Sequence, residues 1–247
     1  MLENIRKRGT QTRALTLVVW HRLRQDGVRN LLRRGVEKLP AWRTRGQIRS
    51  TFDQEFGTDT DGVVPLWKLQ IESPYREQGV RYQASAPDFI RAAIESLPIR
   101  PAEFTYVDIG SGKGRTLLVA SEYPFRRVIG VEFSSELNAV ATENIRRYRS
   151  PKRQCDDVSS VCADAANWEF PAENTIFFMY NPFGDAVLRR VLGNLRTSLT
   201  RHERDIYIIY SHPMFAHLLD DTDFLQRVDV PVEGAIYWHA SQSPTPL

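Results

Sequence analysis

Residues 104–114 read FTYVDIGSGKG, and this stretch decides the fold. The apolar run up to Ile109 predicts a buried β-strand, and the glycine-rich turn that follows predicts a helix over 115–123. Glycines at alternate positions allow positive φ and let a ligand approach where a Cβ would exclude it. The free N–H groups at the start of the helix point to the same place. The pattern therefore predicts a loop that binds a nucleotide-like cofactor.

Three kinds of glycine loop use such a turn, and the spacing distinguishes them. A phosphate-binding P-loop needs Ser or Thr after its lysine, but Lys113 precedes Gly114. A dinucleotide fingerprint needs glycine at the position of Arg115. The sequence instead has G-x-G-x-G after Asp108. This arrangement resembles motif I of the class I S-adenosylmethionine-dependent methyltransferases, whose loop approaches the methionine and ribose portions of the cofactor.

Three further stretches follow in the order of that family's motifs. The first, RVIGVEF over 127–133, ends near Glu132, about twenty residues beyond the glycine turn, where an acid accepts ribose hydroxyls. The second, VSSVCADA over 158–165, places Asp164 where the family has its adenine-amino acceptor. The resemblance runs from about residue 85 to the C-terminus and implies S-adenosyl-L-methionine as the cofactor. The cofactor-binding residues that it implies are Asp108, Gly110, Ser111, Gly112, Gly114, Glu132, Asp164 and Ala165.

The third of these stretches, TIFFMYNPFG over 175–184, ends a strand with Asn181, Pro182 and Phe183. These three residues resemble the Asn-Pro-Pro-aromatic motif of amino methyltransferases, with one proline fewer. An Asn oxygen and a neighbouring carbonyl accept two hydrogen bonds from one amino group, and Phe183 suits stacking on a planar target. We expect these three residues to be catalytic. The alternative is a plain turn after a strand, because Asn-Pro-Phe-Gly is good turn chemistry.

Strands and helices alternate along the rest of the chain. The predicted strands lie at 104–109, 127–133, 158–162, 175–180, 205–210, 224–232 and 235–239, and the predicted helices at 87–97, 115–123, 135–148, 186–199 and 213–219. Alternation of this kind predicts a parallel sheet covered on both faces. We therefore expect an α/β fold with a Rossmann-like, mostly parallel seven-stranded sheet and an antiparallel C-terminal hairpin. The final hairpin resembles the methyltransferase sheet and argues against a dehydrogenase.

The charge divides the chain unevenly. Residues 1–49 hold 13 basic and three acidic residues, whereas the remainder holds 20 basic and 27 acidic ones, a net charge of +10 against −7. Apolar residues at helical spacing predict two amphipathic helices in this first part, broken near Asp26. Such a basic arm either packs on the catalytic domain with its arginines solvated, or binds an anionic partner such as nucleic acid or a membrane surface.

Three regions are predicted from these features. Residues 1–50 form the basic helical arm, residues 51–86 a loop-rich segment that covers the substrate or cofactor, and residues 87–247 the methyltransferase domain. Within the middle region, 52–64 is predicted as a loop and 66–71 as a short strand. By the resemblance, Tyr75 and Tyr82 are placed near the substrate, although packing of their rings onto the core is the ordinary alternative.

Few other polar residues suit catalysis. His212, at the end of the predicted strand 205–210, is a candidate base facing the substrate, although a histidine beside a proline is more often a loop residue. Lys113 is expected to face solvent. Histidines and cysteines show no metal-ligand spacing, so no metal site is expected. Cys155 and Cys162 fit reduced thiols in a cytoplasmic protein, and no apolar run approaches the roughly 18 residues of a membrane span.

The leading hypothesis is a cytoplasmic methyltransferase that methylates a nitrogen nucleophile, with a protein side chain as one candidate. Residues 82–86, the helix after them and the glycine loop bear a loose likeness to Rossmann-like protein lysine methyltransferases. RNA or DNA methylation is an alternative, which the arginines of the arm favour through phosphate contacts. A non-catalytic binding module that keeps the cofactor fold is a further alternative, because fold does not fix function.

Overall fold

The computed structural model describes residues 50–229 and 232–241. The predicted basic arm lies outside the described residues apart from Ser50. The helices are α1 (Thr51–Phe56), α2 (Pro87–Glu95), α3 (Arg115–Ala120), α4 (Ser135–Arg147), α5 (Asp185–Arg201) and α6 (Ala216–Asp220). The strands are β1 (Val63–Val64), β2 (Tyr82–Gln83), β3 (Thr105–Ile109), β4 (Arg127–Glu132), β5 (Val158–Cys162), β6 (Thr175–Tyr180), β7 (Ile206–Ser211), β8 (Gln226–Val228) and β9 (Ala235–His239).

Seven strands form one sheet in the order β5-β4-β3-β6-β7-β9-β8. The first five strands in this order pair in parallel, whereas β9 pairs antiparallel with both β7 and β8. The predicted α/β fold with a closing hairpin is therefore confirmed. The strand order reverses between β3 and β6, and ligands bind at such a switch point, outside the carboxyl ends of the strands.

Alternate side chains of the central strands face two separate cores. On β3, Val107 packs with the apolar face of α5, whereas Tyr106 packs with α2 and α3. On β6, Phe177 packs in the same core as Val107, and Phe178 packs in the same core as Tyr106. Continuous apolar sequence is required because both faces of these strands are covered by helices. The result is a rigid platform whose carboxyl edge carries the candidate site.

The segment before the sheet differs from its predictions. Residues 52–64 contain a helix where a loop was predicted, because the Ser50 hydroxyl caps α1 by accepting the Asp53 N–H, and Gly57 ends it at a φ of 66°. The predicted strand at 66–71 is also wrong. Leu66–Lys68 forms a 3₁₀ helix after the extended Pro65, closed by the Leu69 N–H bonding to the Leu66 carbonyl. In the part of the chain that the structure describes, no helix is long and apolar enough to cross a membrane.

Candidate cofactor and acceptor site

The glycine loop joins β3 to α3 with all three of its glycines at positive φ. Gly110, Gly112 and Gly114 have φ values of 81°, 55° and 83°. A Cβ at Gly110 would lie 2.5 Å from the Cβ of Pro182, and one at Gly112 would overlap the ring of Tyr82. Both positions therefore require glycine for two reasons, the backbone conformation and the close approach of a neighbouring element.

Glu132 ends β4 and holds the glycine loop by its carboxylate. Its Oε2 accepts the Gly112 N–H at 2.8 Å, and its Oε1 accepts the Ser134 N–H at 2.9 Å. The side chain is only 3% exposed, and this burial raises its pKa to about 7 despite the backbone hydrogen bonds that lower it. The acid predicted to bind the ribose thus lies beside the loop and is shielded from solvent.

Asp108 is a second buried acid next to the loop. It accepts a hydrogen bond from the Thr116 hydroxyl at the start of α3. Burial raises its pKa to about 7, a rise that the Thr116 hydrogen bond opposes and the charge of Glu132 reinforces. Two buried carboxyl groups flanking one loop favour a cationic ligand. The ammonium and sulfonium of S-adenosylmethionine meet that requirement, so the residues present fit the predicted cofactor.

Three adjoining cavities form a slot along the carboxyl ends of β3, β4 and β6. The first cavity shares Gly110, Phe133 and Pro182 with the middle one. The middle cavity shares Gly110, Tyr82 and Tyr180, among others, with the third. The slot therefore passes Gly110, Ser111 and Gly112 of the glycine loop, as an elongated nucleoside and amino-acid ligand requires, whereas Gly114 does not line it.

The first cavity has the character of a pocket for a planar base. Phe133 and Phe183 form apolar walls, and Asp164 and Ala165 line its polar side. Asp164 Oδ2 accepts the Ser73 hydroxyl at 2.5 Å, and its Oδ1 accepts the Ala166 N–H at 2.9 Å. Each carboxylate oxygen retains a further lone pair for a ligand amino group.

The segment before α2 folds over this slot. The Val80 N–H donates to the Pro182 carbonyl at 3.0 Å, and the Gly184 N–H donates to the Gln78 carbonyl at 2.8 Å. Tyr75 lines the first cavity beside these contacts. The Pro182 carbonyl, next to Asn181, therefore already accepts one hydrogen bond within the protein.

Tyr82 lies further along the same segment, over the glycine loop. Its ring packs on Gly112, and its hydroxyl donates to the Thr60 carbonyl. Lys113 was expected to face solvent, and this is wrong. Its side chain is 12% exposed because the connection from α1 to β1 folds onto the loop, where Lys113 Nζ pairs with Asp59 Oδ1 at 2.8 Å.

Of the three residues after β6, two line the slot and one is hydrogen-bonded to the neighbouring strand β7. Pro182 lines the first two cavities and Phe183 lines the first, but Asn181 is not among the residues that line the slot. Instead Asn181 Oδ1 accepts the Tyr210 hydroxyl at 3.0 Å. Tyr180, which the sequence did not single out, lines both the middle and third cavities. Its one sequence signal is its place as the last residue of a buried strand.

His212 lies outside the slot, at the end of β7. The residue is exposed, its Nδ1 is 3.1 Å from the Ser211 hydroxyl, and its ring centroid is 4.6 Å from that of Tyr180. His212 therefore contacts a slot-lining residue and does not line the slot itself. Within 50–229 and 232–241, no three His, Cys, Asp or Glu side chains lie close enough together to hold a metal ion.

Cofactor affinity should depend on pH because of the two buried acids. At a pH below about 7, Asp108 and Glu132 hold protons that a cationic ligand must displace. The affinity for S-adenosylmethionine should therefore rise from about pH 6 to about pH 8, by at most about tenfold per pH unit for each proton released. Calorimetry across this range measures the effect, and Glu132→Gln should reduce its slope, leaving the contribution of Asp108. A dissociation constant that does not change with pH would contradict this account.

One family model matches part of the chain, and several solved structures are similar to it. Residues 107–179 match the family model described as a methyltransferase domain. No curated protein matches the sequence. Among solved structures, the chain is similar to the 23S rRNA methyltransferase ErmE, with 14% identity, 65% of this chain and 70% of that chain covered, and a TM-score of 0.44.

Two further solved structures are similar over comparable lengths. One is an RNA methyltransferase from Salinibacter ruber in complex with S-adenosyl-L-homocysteine, with 18% identity, 67% and 97% of the two chains covered, and a TM-score of 0.42. The other is a predicted N6-adenine-specific DNA methylase from Listeria monocytogenes, with 11% identity, 64% and 52% covered, and a TM-score of 0.47. At TM-scores this low, the likenesses identify no substrate for this chain.

Proposed function

We propose that the chain is a class I, S-adenosylmethionine-dependent methyltransferase and that it methylates a nitrogen nucleophile, an amino group of a protein side chain. The observation that carries this proposal is that the carboxyl groups lining the slot already accept hydrogen bonds from the protein. Asp108, Glu132 and Asp164 are the carboxyl groups among the described residues that line it, and each already accepts protein hydrogen bonds. A hydroxyl acceptor needs a general base, whereas an amine needs only to lose a proton to water before it reacts.

The chain's own residues would mainly bind and orient. The glycine loop with Glu132 and Asp108 would hold the amino-acid and ribose portions of the cofactor, and Asp164 with Ala165 would hold its base. When bound, S-adenosylmethionine supplies a methyl group already activated on a sulfonium. Alignment of the acceptor with that group is then the main contribution of the protein, and well-oriented proximity is worth about 7–11 kcal/mol at most.

The charge of the domain favours a cationic acceptor. Residues 50–247 hold 20 basic and 27 acidic residues, a net charge of −7. A surface of this sign attracts a lysine-rich protein segment and repels a phosphate backbone. We place the reaction in the cytoplasm, which the two free thiols, Cys155 and Cys162, support.

Nucleic acid is the second candidate acceptor, and the basic arm is the feature that favours it. With a net charge of +10, residues 1–49 suit contacts to phosphate or to another anionic partner. An acceptor delivered by the arm would give a reaction rate that falls steeply with salt, because counterions released on binding carry most of such affinity.

Labelled methyl transfer distinguishes the candidates. The full-length protein is incubated with cell extract and S-adenosylmethionine carrying a tritiated methyl group, and portions are then treated with protease, ribonuclease or deoxyribonuclease. We expect label in macromolecules that protease releases and nucleases do not, and that survives mild alkali, which hydrolyses methyl esters but not methylamines. Release by a nuclease would replace the proposed acceptor with RNA or DNA.

A further inference from the structure

The carboxyl ends of β6 and β7 carry two strained residues side by side. Asn181 and His212, with φ values of 44° and 50°, are the non-glycine residues with positive φ in the described part of the chain. They directly follow Tyr180 and Ser211, which are paired in the sheet. A residue in this conformation is strained and persists where the surrounding structure holds it, often at functional sites. The two turns therefore fix the positions of the side chains that flank them at this edge of the sheet.

The turn at Asn181 is held from β7. The Tyr210 hydroxyl donates its proton to Asn181 Oδ1 at 3.0 Å. This bond keeps the amide of Asn181 against β7, in a residue that is 8% exposed. Its two neighbours in sequence, Tyr180 and Pro182, line the slot instead. The turn thus presents Tyr180 where the sequence pattern suggested Asn181.

Tyr180 lines the middle and third cavities of the slot and does not line the base pocket. Tyr82 and Gly110 line the same two cavities. Its ring packs against the His212 ring at a centroid distance of 4.6 Å and an interplanar angle of 38°. Burial raises the pKa of its hydroxyl, and the charge of Glu233 raises it further. The phenol therefore stays protonated at neutral pH, with its oxygen able to accept an N–H.

We propose that Tyr180 positions the methyl acceptor and that His212 is a positioning residue that acts through it. The Tyr180 oxygen accepts one N–H of the incoming amine, which orients the nitrogen lone pair along the slot, and the His212 ring fixes the angle of the Tyr180 ring. The inference rests on the proposed N-methyl transfer and names the residue that selects an amine with a free N–H. In these roles neither side chain makes a hydrogen bond to S-adenosylhomocysteine, so removal of the Tyr180 hydroxyl alone should leave that binding close to wild type.

Four variants test the two roles in the full-length protein. Tyr180→Phe removes the hydroxyl and keeps the ring, and Tyr180→Ala removes both. His212→Phe keeps a ring but cannot titrate, whereas His212→Asn tolerates positive φ and removes the ring. The probe is the protein fraction of a nuclease-treated extract, with tritiated-methyl S-adenosylmethionine, and initial rates are measured against the protein concentration of the fraction. Calorimetry with S-adenosylhomocysteine reports the cofactor site and the fold of each variant.

The expected results separate positioning from folding. Tyr180→Phe should lower the maximal rate about tenfold, as the loss of one oriented hydrogen bond implies, with S-adenosylhomocysteine affinity within about twofold of wild type. His212→Asn, which removes the ring, should raise the apparent KM for the acceptor about fivefold. His212→Phe, which keeps a ring against Tyr180, should leave this KM close to the wild-type value. A wild-type rate in Tyr180→Phe, or an equal loss of S-adenosylhomocysteine binding, would overturn the inference. Absence of label in protein with the wild-type enzyme would instead overturn the proposed function.

Discussion

Gly112→Ala should weaken S-adenosylmethionine binding by at least about a hundredfold, equivalent to about 2.7 kcal/mol. Alanine at a φ of 55° is strained, and its Cβ would overlap the Tyr82 ring. That ring has little room to move, because its hydroxyl is bonded to the Thr60 carbonyl. The substitution would also displace the Gly112 N–H from Glu132, so the loop and the buried acid would be disturbed together. Calorimetric titration measures the loss.

A matched glycine separates crowding from backbone strain. Gly57 has a φ of 66° and nothing within 4 Å of its ideal Cβ. Gly57→Ala therefore carries a similar conformational strain, of about 1 kcal/mol, without a clash and away from the slot. We expect it to lower the melting temperature while leaving cofactor affinity unchanged. Equal affinity of Gly112→Ala and wild type would show that the cofactor does not lie along this loop.

The features predictable from sequence are those whose cause lies within a few residues. The apolar run of β3 and its glycine turn need no distant partner to be recognised, since burial on both faces and positive φ are local requirements. The same holds for Glu132, which ends an apolar strand at a fixed distance from the turn. The parallel pairing of the strands then follows from the alternation of strands and helices, because parallel neighbours need crossover connections.

The features that escaped prediction depend on contacts between distant residues. The pairing of Lys113 with Asp59 spans 54 positions, and the bond from Arg115 to Thr60 spans 55. No periodicity in the sequence marks such partners, so the acidic stretch 52–64 suggested only a solvated loop. Asn181 attracted attention through a motif, but the Tyr210 hydroxyl on the neighbouring strand decides where its amide points.

Asp53 is the centre of the buried network that joins this acidic stretch to α3. It is 1% exposed and accepts the Thr58 and Thr60 hydroxyls at 2.7 and 2.6 Å, with the Thr60 and Asp61 N–H groups at 3.0 and 2.8 Å. The Arg115 guanidinium lies 3.7 Å away. Burial acts to raise the pKa of Asp53, but these hydrogen bonds and Arg115 together hold it below its usual value. The carboxylate is therefore charged and fully partnered in the folded protein.

Asp53→Ala should lower the free energy of unfolding by about 3–5 kcal/mol at neutral pH, because it leaves buried O–H and N–H donors without their acceptor and removes one of the two carboxylates paired with the buried Arg115. Chemical denaturation measures this loss. Glu103→Ala is the control. Glu103 pairs with Arg100 at 3.4 Å, with both side chains more than half exposed, and its loss should cost less than about 1 kcal/mol.

The pH dependence of that difference identifies its cause. A carboxyl group whose pKa is lowered by folding contributes stability above its unfolded pKa, and the contribution disappears as pH falls through the lower, folded value. The gap between wild type and Asp53→Ala should therefore narrow as acid protonates the native carboxylate. A gap that stays constant would assign the loss to packing alone. A gap that narrows would show that the negative charge of Asp53, which faces Arg115 at the start of α3, stabilises the fold.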